Sequence, residues 1–293
     1  MTLLKIILRA ALLSLVCSAA QAQTDTDTTA TPSVVAQSQT QNVPVLITLD
    51  YHAETKALVL RATNNSGKGI SGYYISIQYR LPNGTWDKSG PSGSVQDMMD
   101  VLVTIQMAKD PADAERRYQQ QGLGPFATGT TRELILNNIS SADVKATADP
   151  IFYTDGSYEK QDENEFKRFL SRRQGELLGN MEASKIIRAA LADATNENPV
   201  ATAIPELAKA AAEGMAHNPD GPYDPARTVV GLLEGNINML RMIQEQAVKN
   251  WGGPSEKGKT ERERVIQYVE KQERRVELMT PHCHLEIALT QQK

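Results

Sequence analysis

The dominant hydrophobic period of this chain changes near residue 159, and that change limits the folds open to it. Before it, apolar side chains recur at every second position: Val45, Ile47 and Leu49, then Leu58 and Leu60, then Tyr73, Ile75, Ile77 and Tyr79. A period of two sends alternate side chains to opposite faces of a strand, so these runs predict a half-buried antiparallel sheet. After it, Phe166, Leu170, Leu177, Met181, Ile187 and Leu191 fall at helical spacing, as do Val229, Leu233, Ile237, Leu240, Ile243 and Ala247. Strands collected at one end and helices at the other predict an α+β chain. The expected organisation is an N-terminal immunoglobulin-like β-sandwich over 43–158 with a helical insertion at 94–121. An α-helical domain over 159–280 and a tail over 281–293 follow.

Turn chemistry punctuates the β half. Asn64-Asn65-Ser66-Gly67 and Asn83-Gly84 combine residues that tolerate positive φ, and Asp155-Gly156 reads as a hairpin tip within 144–158. A further strand is expected over 132–137. The 94–107 stretch fits two periods. Val95, Met98, Leu102 and Ile105 suit a helix, Val101, Val103, Ile105 and Met107 suit a strand, and the helix is the favoured reading. Asp110-Pro111 predicts a helix cap with proline at the first helical position. In the helical half the pattern predicts one long helix over 162–194, a helix starting at Pro205, one over about 229–251, and a charged helix over about 256–279. That last helix has few apolar positions and is expected to be exposed, or to face a partner as a short coiled coil.

The N-terminus carries Lys5 and Arg9 around an apolar run at 6–16, followed by Ala20-Gln21-Ala22. This is the pattern of a signal peptide cleaved before Gln23, and the run is shorter than the ~20 residues a membrane-spanning helix needs. Val16 ahead of Cys17 is a poor match to a lipid-attachment box. Residues 23–42 are Thr-, Gln- and Ser-rich with little to bury, and are expected to be a disordered linker. The expected compartment is the bacterial envelope, periplasmic or secreted, with no transmembrane segment after cleavage. The whole chain has 31 basic and 35 acidic residues, and loss of Lys5 and Arg9 leaves 29 against 35. That acidic balance argues against a dedicated nucleic-acid partner. Cleavage would also remove Cys17 and leave Cys283 as the single cysteine, so no intramolecular disulfide is expected.

The run Ala57-Leu58-Val59-Leu60-Arg61-Ala62-Thr63-Asn64-Asn65-Ser66-Gly67-Lys68, continued by Ile75-Ser76-Ile77-Gln78-Tyr79 and Pro82-Asn83-Gly84, resembles the FxLYD-type and related immunoglobulin-like modules of bacterial envelope proteins. The FxLYD tetrapeptide itself is absent. The resemblance covers about residues 57–85, implies a β-sandwich, and brings no catalytic residues with it.

Few residue groups carry chemistry. His282-Cys283-His284 holds three metal-ligand types in a row, and is the candidate metal site, although adjacent side chains point apart and a fourth ligand is needed. The alternative is an ordinary surface tail. Lys167, Arg168, Arg172 and Arg173 form a basic patch, with Glu163, Glu165 and Glu176 in helical reach to pair with it. Asp149 and Asp155 can be drawn as paired carboxylates, but both sit where turns favour Asp. Phosphate-loop, dinucleotide, HExxH and Gly-x-Ser-x-Gly motifs are absent from the sequence.

No catalytic residue and no cofactor is therefore assigned. The leading expectation is an exported, non-enzymatic binding or scaffolding module. Its partner surface would lie on the helices, at Leu233, Ile237 and Leu240 with Arg168 and Arg172, and the partner would be another protein or a second copy of the chain. The competing expectation is an envelope hydrolase acting on a glycan or peptide, with carboxylates or His217 in a cleft between the two halves.

Overall fold

The structure, a computed structural model, describes residues 43–81, 83–87, 93–139, 143–216, 225–253 and 257–287. All of these belong to one unit, Val34–Lys293. In chain order the elements are β1 (Val45–His52), β2 (Ala57–Asn64), β3 (Ile70–Arg80), β4 (Trp86–Asp87), β5 (Gly93–Asp97), α1 (Met99–Met107), α2 (Pro111–Gln120), β6 (Thr131–Leu136), β7 (Val144–Tyr153), β8 (Tyr158–Glu159), α3 (Glu163–Ala192), α4 (Pro199–Ala216), α5 (Ala226–Val248) and α6 (Glu261–Cys283). The chain is mixed α+β, with two antiparallel sheets and a group of packed helices. His217, the leader and the 23–42 segment lie outside the described residues.

One sheet has the order β1-β2-β6; in the other, β3 is flanked by β7 and β8 on one edge and by β4 and β5 on the other. The alternating residues meet between the sheets. Val45, Ile47, Leu58 and Leu60 from the first share a core with Tyr73, Ile75, Ile77, Val144 and Ile151 from the second. The Asn-rich turn after β2 is built around the buried Asn64. Its Nδ2 donates to the carbonyls of Lys68 at 2.8 Å and Phe126 at 2.7 Å, and its Oδ1 accepts from Ser66 N at 3.0 Å. Gly67 takes φ +74° there, a conformation that favours glycine. Asp155 and Asp149 do turn work: Asp155 Oδ1 accepts from Ser157 N at 2.9 Å, and Asp149 Oδ1 from Gln161 N at 2.8 Å.

The 94–107 stretch splits between the two periods it displays. Gly93–Asp97 is a strand paired with β3, and the helix begins only at Met99. The strand wins its part because β3 offers an open edge, with Gly72↔Asp97 and Ser76↔Gly93 in register. The helix wins the rest because Met99, Leu102 and Val103 pack on Leu177, Met279 and Cys283. The α2 cap is as the sequence predicts: Asp110 Oδ1 accepts from Asp113 N at 3.0 Å, with Pro111 at the first position.

The long helix α3 is buried on more than one stripe, with Phe169, Arg173, Gly175, Gly179 and Ala183 covered as well as Phe166, Leu170 and Leu177. Met181, placed on the expected stripe, is exposed. The reason is that α4, α5 and α6 all pack around α3, so a one-sided pattern is lost. Gly175 and Gly179 mark the closest approach: a Cβ on Gly175 would stand 2.6 Å from Pro225 O and Thr228 Cβ. The next helix starts at Pro199, upstream of the expected Pro205. Val200, Ala203, Leu207 and Ala211 form one continuous buried face, while Pro205 looks outward and forfeits a single backbone bond. The last helix opens with a capping box, Thr260 with Glu263, and runs through Pro281 to Cys283, so 281–283 is its final turn and not a tail. Part of its charged surface is tied to α3, while Glu270, Lys271, Arg274 and Glu277 are exposed. Arg262 donates to Leu191 O at 2.7 Å and Asp193 O at 2.9 Å, closing the C-terminus of α3, and Arg188 pairs with Glu273 at 2.5 Å. Among the described residues no helix is long and apolar enough to cross a membrane.

Candidate functional site

The polar groups converge where the helices meet the second sheet. Arg173 lies on α3 among Phe166, Phe169, Leu170 and Leu177, three, four or seven residues from each, and so projects from an apolar face. Its Nη2 donates to Asp97 Oδ1 at 2.8 Å and to Ser71 O at 3.0 Å, and its Nε to Asp97 Oδ2 at 3.3 Å. The guanidinium carbon lies 4.6 Å from the Phe152 ring centre and 5.0 Å from that of Phe169. Gly72 makes room: a Cβ there would meet Arg173 Nη2 at 2.5 Å and Phe169 Cζ at 2.6 Å. Asp97 Oδ1 also accepts from Met99 N at 3.1 Å, so one carboxylate joins β5, α1 and α3.

Around this pair the charges are matched. Arg172 reaches Glu176 at 3.2 Å, and Arg275 of α6 pairs with Asp100 of α1. Burial raises the Glu176 carboxyl above its ordinary range, helped by Asp100 and Asp97 and opposed by Arg172. A carboxyl of raised pKa is a candidate acid where it meets a cleft. Here it faces its own helix's arginine, inside the seam.

His282, Cys283 and His284 close this seam from α6, each with different surroundings. Cys283 is buried, and its Sγ lies 3.4 Å from Arg173 O. Burial pushes its thiol up to about 12. His282 is buried and pushed down to about 4, first by burial and then by the positive charges of Arg173 and His284. His284 takes φ +47° at the helix end, sets its ring edge-on to Tyr158 at 4.9 Å, and has Nδ1 3.1 Å from Glu286 Oε1. Gln174 of α3 donates to His284 O at 2.8 Å, which fixes the chain beyond the helix. Among the described residues no group of three or more His, Cys, Asp or Glu side chains is arranged to hold a metal ion. His282 and Cys283 end α6 and His284 leaves it in the left-handed conformation, so the three side chains have separate surroundings.

Compared with family models, curated proteins and solved structures, the chain matches none.

The expected partner surface divides in two. Leu233, Ile237 and Leu240 are buried in the helical core with Ala183, Ile187, Leu207 and Val265, so the apolar face of α5 is covered by its own chain. That corrects the placement: these three side chains belong to an internal core of the chain. Arg168 and Arg172 are exposed and paired along α3, with Glu165 at 3.9 Å and Glu176 at 3.2 Å, while Lys167 stands 4.0 Å from Glu163. Arg173, grouped with them by sequence, faces inward.

The seam escaped the sequence reading although one signal was present. A charge on the apolar stripe of a helix demands a buried partner. Arg173 gave that signal, but Asp97 lies 76 residues away and nothing in the sequence joins the two.

Proposed function

We propose that this chain is an exported, non-enzymatic protein of the bacterial envelope that acts as a binding or scaffolding module, with its two sheets forming an immunoglobulin-like sandwich. The observation that carries the reading is the state of the reactive groups. Cys283, His282, Arg173 and Asp97 are engaged or silenced inside the seam between sheet and helices, with a thiol pushed up to about 12 and an imidazole pushed down to about 4. Nucleophilic or acid–base chemistry at neutral pH needs the opposite shifts and access to substrate. The seam instead serves to fix the helices on the sheets as one support. The leader, the polar 23–42 spacer and the acidic balance support the compartment and argue against nucleic acid as the partner.

The test is expression of the full chain in a Gram-negative host, followed by fractionation, mass measurement and light scattering of the released protein. The reading expects a periplasmic species beginning at Gln23 that captures a second copy or another envelope protein on cross-linking. Retention of the full-length chain in the cytoplasm, or turnover of peptidoglycan fragments or peptides by the purified protein, would overturn it.

A further inference from the structure

Arg173 has a counterpart in the β half. On β6, Arg132 shares the inward face with Leu134 and Leu136, between the exposed Thr131, Glu133 and Ile135. It too is a charge on an apolar face. Arg173 is answered by a carboxylate; Arg132, among the described residues, is not. Among the described residues its contacts are Gly124 O, Met98 Sδ at 2.8 Å, the Tyr73 hydroxyl, and the Phe126 ring, 5.1 Å from the guanidinium carbon. The neighbouring acid, Glu133, turns to the other face and pairs with Arg61 at 2.9 Å. A guanidinium has five N–H donors, and these contacts leave some of them uncommitted.

Beside Arg132, residues of both sheets line a cavity of about 360 Å³ at the border of their shared core. Arg132 is directly opposite Ala62 on β2, whose small side chain fills little of the cavity. On the facing sheet, Gln96 pairs with Tyr73 and Ser94 with Ile75, and Gln96 Nε2 donates to Ser94 Oγ at 2.9 Å. The wall carries Arg132, Ser94, Gln96, Thr131 and Glu133 as polar groups and Leu60, Ile75 and Leu134 as apolar ones. Polar and apolar groups share the wall about equally, and the volume falls within the range of small-molecule sites.

We propose that this cleft binds a small organic monoanion, a carboxylate with an apolar body, whose head meets Arg132 and whose body lies on Leu60, Ile75 and Leu134. The proposal rests on the reading of the chain as a binding module and names what it takes. A planar guanidinium fork matches a carboxylate in two parallel hydrogen bonds. A single cation, with Glu133 also lining the cavity and paired to Arg61, suits one negative charge better than two. The Arg132–Tyr73–Phe126 stack holds the fork in place before the ligand arrives, which lowers the ordering cost of binding.

The experiment titrates the purified exported protein with sodium octanoate, below its micelle concentration, by calorimetry and thermal shift. 1-Octanol serves as the uncharged match and sodium acetate as the head alone. Saturable octanoate binding that raises Tm is expected, with octanol and acetate at least about tenfold weaker. Arg132→Gln should weaken octanoate at least about tenfold. Should that variant fail to fold, Ala62→Leu fills the cavity from the opposite strand with the charge intact, and should abolish binding. No saturable binding, equal binding of octanol, or octanoate binding unaltered in Arg132→Gln or Ala62→Leu would each overturn the site. An exported protein that captures its partner but ignores octanoate would overturn the cleft alone and leave the broader reading standing.

Discussion

The Arg173 guanidinium and the Asp97 carboxylate meet at 2.8 Å across the boundary between helix and sheet, with the arginine side chain 0 % and the aspartate 7 % exposed. A pair so placed has given up its hydration, and each partner needs the other. It therefore acts as a latch for the docking of α3, and its loss should be felt in the whole fold.

Removing one member should cost about 3–5 kcal/mol, because the survivor is left charged and buried. Asp97→Ala should also release the start of α1, since the same carboxylate accepts from Met99 N. The double variant Arg173→Met with Asp97→Leu should recover much of the loss. Urea unfolding of the two single variants and the double decides this, and additive losses would show that the two side chains do not act as a pair.

Stability should fall on mild acidification because of His282. Its folded-state pKa is near 4 and its ordinary value 6.5, so between those limits the unfolded chain binds a proton that the folded chain refuses. The contribution is complete above about pH 6.5 and is lost as pH falls towards 4. His282→Gln should flatten that part of the Tm-against-pH curve. An unchanged slope would assign the acid sensitivity to another group.

Cys283 should resist thiol reagents in the native protein at pH 8. A buried thiol pushed up to about 12 has almost no thiolate there, and the thiolate is the nucleophile. Reaction with a chromogenic disulfide should be slow until denaturant is added and should then proceed to one thiol per mature chain. Light scattering should be the same with and without reductant. Fast native labelling would mean that the end of α6 opens readily.

Glycine-to-alanine changes should have opposite signs at two sets of helical positions. At Gly175 a Cβ would meet Pro225 O and Thr228 Cβ at 2.6 Å, so Gly175→Ala should destabilise by about 1–3 kcal/mol despite the better helix propensity. At Gly231 and Gly235 of α5 a Cβ would meet nothing within 4 Å, and alanine should stabilise by up to about 1 kcal/mol. Thermal melts of the three variants compare the signs directly.

Local chemistry was legible in the sequence wherever the deciding contacts lie within a few residues. The period-two runs became β1, β2 and β3, the Asn64–Gly67 and Asp155-Gly156 turns formed where expected, and Asp110 with Pro111 began α2. Each depends on steric preference or a hydrogen bond between near neighbours. Only the tertiary structure decided which apolar faces are covered and by what. It placed Leu233, Ile237 and Leu240 in a core, turned 94–97 into an edge strand, and carried α6 through Pro281. It also separated two arginines that look alike in sequence, giving Arg173 its aspartate and leaving Arg132 beside a cavity. The reason is physical: a side chain's charge and period are local, while the partner that satisfies it is chosen by packing between distant segments.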